Sequence, residues 1–156
     1  MVDDTSGWKL PWDGGCRCGA TRFRIGKAPL ISMACHCAGC QSMSASAFSL
    51  SIAVPSDGFE VTAGEPVYGG LAQDQHLFCP TCKTWMFTRP KEVDWLVNVR
   101  ATLLDEHGWF EPFIETFTDE KLPWSSTSAR HNFPKLPEMS EFEPLMQGFA
   151  LEAARP

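Results

Sequence analysis

Seven cysteines fall at positions 16, 18, 35, 37, 40, 79 and 82, in three tight clusters and nowhere else in the 156-residue chain. Cysteines one or two residues apart can turn two thiolates toward one ion, as in Cys79-Pro80-Thr81-Cys82, whereas cysteines used as small core hydrophobes scatter. The odd count argues against a disulfide framework in a reducing compartment. The pattern therefore predicts zinc. Seven is also four plus three: a closed structural zinc takes four protein ligands, and a catalytic zinc takes three and keeps one position for water or substrate. Two zinc ions of unequal role per chain are expected.

Spacing permits two partitions of the ligands. Cys37 and Cys40 can join Cys79 and Cys82 in a ribbon-like site, leaving Cys16, Cys18 and Cys35. Alternatively, Cys16 and Cys18 join Cys79 and Cys82, leaving Cys35, Cys37 and Cys40 within six consecutive residues. A tripod on one loop with a vacant apex suits a substrate-binding zinc and favours the second partition, although the spacing accommodates both. His36 sits inside Cys35-His36-Cys37. Adjacent residues on an extended segment point to opposite sides, so His36 is expected behind the site or on the surface rather than on the ion. His76, His107 and His131 have no ligand spacing with their neighbours.

The chain is 44% hydrophobic and 21% charged, enough apolar material for one core without disulfides. Twelve glycines and twelve prolines break up long helices, so short strands and many turns are expected, with no convincing amphipathic helix. Alternation of apolar and polar residues predicts strands at Ala20–Ile25, Ala47–Val54, Phe59–Thr62, Gln75–Phe78, Thr84–Thr88, Trp95–Arg100 and Phe113–Phe117. The fold class is mainly β: small, mostly antiparallel sheets stapled by zinc knuckles. One domain over residues 1–156 is expected, with its core over about 14–124 and an irregular, proline-punctuated wrap over 125–156. The aromatic residues Trp85, Phe87, Trp95, Trp109, Phe110 and Trp124 are assigned to the core.

Thirteen basic against nineteen acidic residues give a formal charge of −6, which argues against nucleic acid as a partner. No apolar run approaches the roughly 20 residues that span a bilayer. The acidic start Met1-Val2-Asp3-Asp4 does not read as a secretory signal, and a cytoplasmic protein is expected. Arg17, Arg22, Arg24 and Lys83 are the cations nearest in sequence to the cysteines and are assigned to a solvated strand face.

Five words occur together and in order: Gly14-Gly15-Cys16-Arg17-Cys18-Gly19, Cys35-His36-Cys37-Ala38-Gly39-Cys40, Phe78-Cys79-Pro80-Thr81-Cys82, Thr102-Leu103-Leu104-Asp105 and Lys121-Leu122-Pro123-Trp124. On these residues the chain resembles the glutathione-dependent formaldehyde-activating family, also called the centromere-protein-V-like family. The resemblance implies folded sheets around two zincs, a structural one on Cys16, Cys18, Cys79 and Cys82 and a catalytic one on Cys35, Cys37 and Cys40. It also implies a carbon–sulfur lyase that condenses formaldehyde with glutathione to S-(hydroxymethyl)glutathione. The chain departs from the family pattern at Gln41–Ala45, where two arginines and a glycine are usual. It departs again at Lys83-Thr84, in place of Gly-Ser, and at Glu115-Thr116-Phe117, in place of His-Ile-Trp. Lost cations and the added Glu115 carboxylate are expected to weaken glutathione binding or change the preferred thiol. The alternatives are another thiol adduct or small electrophile, or a non-catalytic zinc module with a fourth protein ligand closing the trio.

Overall fold

The computed structural model describes residues 7–69, 71 and 75–156; the acidic start at Met1–Asp4 lies outside them. In chain order the strands are β1 (Trp12–Gly15), β2 (Arg22–Ile25), β3 (Ile31–Cys35), β4 (Ser49–Pro55), β5 (Phe59–Ala63), β6 (Val67–Gly69), β7 (His76–Phe78), β8 (Trp85–Thr88), β9 (Leu96–Arg100), β10 (Ile114–Thr116) and β11 (His131–Asn132). Helix α1 (Ala38–Ser44) follows β3, and helix α2 (Met139–Glu152) follows β11. A three-stranded sheet has the order β1-β2-β5, and an eight-stranded sheet has the order β11-β10-β3-β4-β9-β8-β7-β6. All pairings are antiparallel except those of β10 with β3 and with β11.

Alternation decides which side of the large sheet is dry. Ile52 and Val54 of β4, Val97 and Val99 of β9 and Phe87 of β8 are all buried, and the register sets Ile52 opposite Val99 and Val54 opposite Val97. Each such side chain contributes about 1.5–3 kcal/mol when fully removed from water. The small sheet joins this face through a file of rings, Phe23 to Phe59 at 5.5 Å and Phe59 to Phe87 at 4.7 Å between centroids. Gly14 lies where the two sheets touch, bridged to Leu104. A Cβ there would stand 2.5 Å from Phe23 Cζ and 2.6 Å from the Leu103 carbonyl oxygen, so no side chain fits.

The tail departs from the expected irregular wrap. Helix α2 is 14 residues long and buries Leu145 and Phe149, one turn apart on one face. Two features hid it: Pro144 inside the helix, and a capping box built on Glu138 and Glu141 rather than on a serine, threonine, aspartate or asparagine cap. Phe149 stacks on Trp8 at 5.4 Å and meets Phe113 edge-on at 5.7 Å. The core therefore extends beyond 14–124 to take in Trp8, Trp12, Leu145 and Phe149. Two tryptophans assigned to the core lie outside it, Trp95 at 51% and Trp124 at 76% exposure.

Candidate metal centres

Two cysteine groups converge in space, Cys16 with Cys18, Cys79 and Cys82, and Cys35 with Cys37 and Cys40. Within each group every pair of sulfur atoms lies within 4.8 Å. The second partition of the ligands is therefore the one the fold brings together.

The four-cysteine group joins the β1–β2 turn to the β7–β8 turn, and the two turns are built alike. Cys16 N–H donates to the Thr21 carbonyl, and Cys79 N–H donates to the Thr84 carbonyl, both at 3.0 Å. After the second cysteine of each turn comes a left-handed residue, Gly19 (φ 80°) and Lys83 (φ 62°). Lysine carries a Cβ where glycine is unstrained, and its Nζ donates to the Pro80 carbonyl at 2.7 Å. The turns aim backbone N–H groups at sulfur, Thr21 at Cys16 (3.3 Å) and Cys82 at Cys79 (3.5 Å). The Thr84 hydroxyl lies 3.1 Å from Cys82 Sγ. That hydroxyl, followed by the Thr84 backbone N–H, pulls the Cys82 thiol down to about 5, and the Cys82 N–H brings Cys79 to about 7. Both favour the thiolate, which is the form that binds metal.

The geometry fits zinc. Sulfur atoms at about 2.3 Å from a tetrahedral zinc sit about 3.8 Å from one another. Cys16 Sγ and Cys18 Sγ are 3.5 Å apart, and Cys18 Sγ and Cys79 Sγ are 3.8 Å apart, far beyond a disulfide bond and close to that edge length.

The trio is local. Cys35 ends β3, Cys37 caps the N-terminus of α1, and Cys40 lies in the first turn of that helix, its N–H 3.3 Å from Cys37 Sγ. The Cys40 thiol pulls Cys35 down to about 5. The anionic Cys35 in turn pushes Cys40 well above the ordinary thiol range, and burial raises Cys37. Three sulfurs this close cannot all ionise unless a cation lies among them, so the donor set suits a divalent soft metal. Among the described residues no fourth histidine, cysteine, aspartate or glutamate joins the trio.

His36 points the other way, as its place in an extended segment predicts. It is fully buried rather than on the surface, its Nε2 3.4 Å from Glu115 Oε1 and its ring edge-on to Phe48. Thr127 donates a short hydrogen bond to the same Glu115 oxygen. Glu115 is thus committed to the interior behind the trio, and the expectation that its charge opposes a ligand anion in a pocket is corrected. Gln41 also has an internal role: its Nε2 donates to the carbonyls of His36 (2.7 Å) and Glu120 (3.0 Å), tying the trio loop to the chain after β10. Of the cations nearest in sequence, Arg22 pairs with Asp105 and Arg24 with Asp13 on the small sheet.

A cation on the same sheet face as Cys35 is one the spacing did not reveal. Arg100 closes β9, and the register sets Cys35 opposite Ser49 and Ser51 opposite Arg100 on one face of the large sheet. Its guanidinium lies 4.0 Å over the Trp85 ring. Burial brings Arg100 down to about 10, and the charges of Cys40 and Cys35 act against that loss. A cleft of about 380 Å³ opens here, lined by Met43, Phe48, Ser49, Trp85, Arg100 and Thr102 among others.

With this geometry in place, comparison with known proteins adds a family. The model described as glutathione-dependent formaldehyde-activating enzyme matches residues 11–120. No curated protein matches the chain with significance. Among solved structures, a Rhodobacter sphaeroides protein is similar at 19% identity and a TM-score of 0.48, covering 60% of this chain and 87% of its own.

Proposed function

Because the chain belongs to the glutathione-dependent formaldehyde-activating enzyme family, we propose that it is a zinc-dependent carbon–sulfur lyase joining formaldehyde to glutathione. The observation that carries this reading is the trio itself, three thiols within 4.8 Å of one another and no fourth protein donor among the described residues. In this reading Cys35, Cys37 and Cys40 hold the catalytic zinc, and Cys16, Cys18, Cys79 and Cys82 hold a structural one. Zinc at the trio supplies a Lewis acid that stabilises a bound thiol as thiolate.

The chain's own groups prepare that chemistry. Cys40 N–H donates to the Cys37 sulfur, and the Gln41 and Glu120 hydrogen bonds fix the loop. The reaction adds the sulfur of glutathione to the carbonyl carbon of formaldehyde, and the thiol proton ends on the new hydroxyl, so no oxidant or reductant is consumed. Seven cysteines committed as metal-binding thiolates suit a reducing compartment, the cytoplasm in this reading.

The test is exchange-sensitive NMR of glutathione, formaldehyde and their adduct, comparing the zinc-loaded protein with Cys37→Ser after subtracting spontaneous condensation. Exchange is expected to be faster only with the intact trio. Equal rates for the two proteins refute the activity.

A further inference from the structure

The cleft beside the trio carries two unmet demands for a hydrogen-bond acceptor. Nε of Arg100 and Nε1 of Trp85 are both buried and both lack a hydrogen-bond partner among the described residues. The guanidinium makes one long bond of 3.5 Å, to the Asn98 carbonyl, and pairs with no carboxylate among the described residues, unlike Arg22, Arg24 and Arg130. Burying a charged donor without an acceptor costs free energy. The lining adds the hydroxyls of Ser44, Ser46, Ser49 and Thr102 and no acidic side chain. Ser49 belongs to both sites: it lines the cleft, and it lies opposite Cys35 in the β3–β4 register.

The register gives the span. Cys35 and Arg100 share a sheet face two strands and two residues apart, which at ordinary strand spacings is about 12 Å between Cα atoms. A molecule with sulfur at the trio and a charged end several bonds away bridges this distance.

We infer that the cleft is a carboxylate subsite in which Arg100, held flat on Trp85, receives the carboxylate of a thiol whose sulfur lies at Cys35, Cys37 and Cys40. This deepens the reading of the trio as a thiol site and rests on it for the position of the sulfur. A planar guanidinium stacked on a ring can still offer its terminal N–H groups to a carboxylate, and charge-assisted pairs of this kind are the strong ones. The family's usual arginines after the second cysteine cluster are absent here, where the chain reads Gln41-Ser42-Met43-Ser44-Ala45. Arg100 supplies a cation from β9 rather than from helix α1.

The experiment is calorimetric titration of the zinc-loaded protein with glutathione, its diethyl ester, S-methylglutathione and S-methylglutathione diethyl ester. The free acids are expected to bind about tenfold more tightly than their esters, one charge-assisted pair's worth of selectivity. Arg100→Gln is expected to erase that preference, and Arg100→Lys to keep only part of it. Equal binding of acid and ester by the unaltered protein overturns the proposal without any variant, which covers the case in which Arg100→Gln fails to fold. Equal weakening of acid and ester in Arg100→Gln also overturns it, because Arg100 would then serve only to balance the charge of the trio. A preference for glyoxylate over acetaldehyde in place of the glutathione preference would move the carboxylate to the electrophile and refute the thiol assignment. The S-methyl pair separates this inference from the proposed activity. An acid preference there, with no acceleration of formaldehyde exchange, supports the subsite while the lyase reading fails.

Discussion

The two cysteine groups differ in how much chain each one ties together, and that difference predicts unequal losses of stability. Cys18 and Cys79 are 61 residues apart, and the group they share links the small sheet to the large one. A cross-link closing a loop of that length withholds roughly 4 kcal/mol of chain entropy from the unfolded state. The trio lies between positions 35 and 40, and the same relation gives a closure of that size only about 2 kcal/mol. At about 3 °C per kcal/mol for a chain of this size, loss of the first staple lowers the melting temperature by about 12 °C and loss of the second by about 6 °C. The perturbations are Cys79→Ser and Cys37→Ser, each checked for zinc content by mass spectrometry and for melting by circular dichroism. Cys79→Ser should lose one equivalent of metal with the larger shift, and Cys37→Ser one equivalent with the smaller. Equal shifts, or a larger shift for Cys37→Ser, refute the assignment of one long-range and one local site.

Phe149→Ala removes a ring that is 1% exposed and packed between Trp8 and Phe113, so it should cost about 3–5 kcal/mol and lower the melting temperature by about 10 °C. Metal content should be unchanged, and a loss of zinc in that variant would refute the separation of α2 from the metal centres. His76 lies beside Trp85 with Nδ1 2.9 Å from the Thr88 hydroxyl, and burial, with repulsion from Arg100, lowers its pKa below 6.5. The unfolded chain therefore takes up this proton at higher pH than the folded one, and stability falls as pH drops below the unfolded value toward the folded one. Urea midpoints measured between about pH 7.5 and pH 5 should fall less steeply for His76→Gln than for the unaltered protein, and parallel curves would contradict the shift.

The metal ligands were legible because chelation by near neighbours leaves a spacing in the chain itself, as in Cys16-Arg17-Cys18 and Cys79-Pro80-Thr81-Cys82. The strands of the large sheet were legible where Val97 and Val99 alternate with polar residues. Arg100 and Thr116 were not, since strand register rather than sequence distance sets Thr116 opposite Cys35 and Arg100 on the same sheet face two strands away. Strand β1 escaped notice because Gly14-Gly15 has no side chain to reveal a periodicity, and the reason for Gly14, contact with Phe23 and the Leu103 carbonyl, exists only in the folded chain. Helix α2 was masked by Pro144 and by its glutamate cap. The departure at Glu115 was read as a change in a pocket, whereas its hydrogen bonds to His36 and Thr127 place it in the interior.

The unequal spans of the two groups also order events during biosynthesis. All three thiols of the trio have been made once residue 40 is added, while Cys16 and Cys18 wait for Cys79 and Cys82, another 42 residues. At about 5–20 residues per second that interval is roughly 2–8 s. During it the nascent chain presents five cysteines and one complete tripod to the cell's zinc supply. The second cluster is therefore the first that can be metallated with its full set of ligands, and the junction between the sheets closes last.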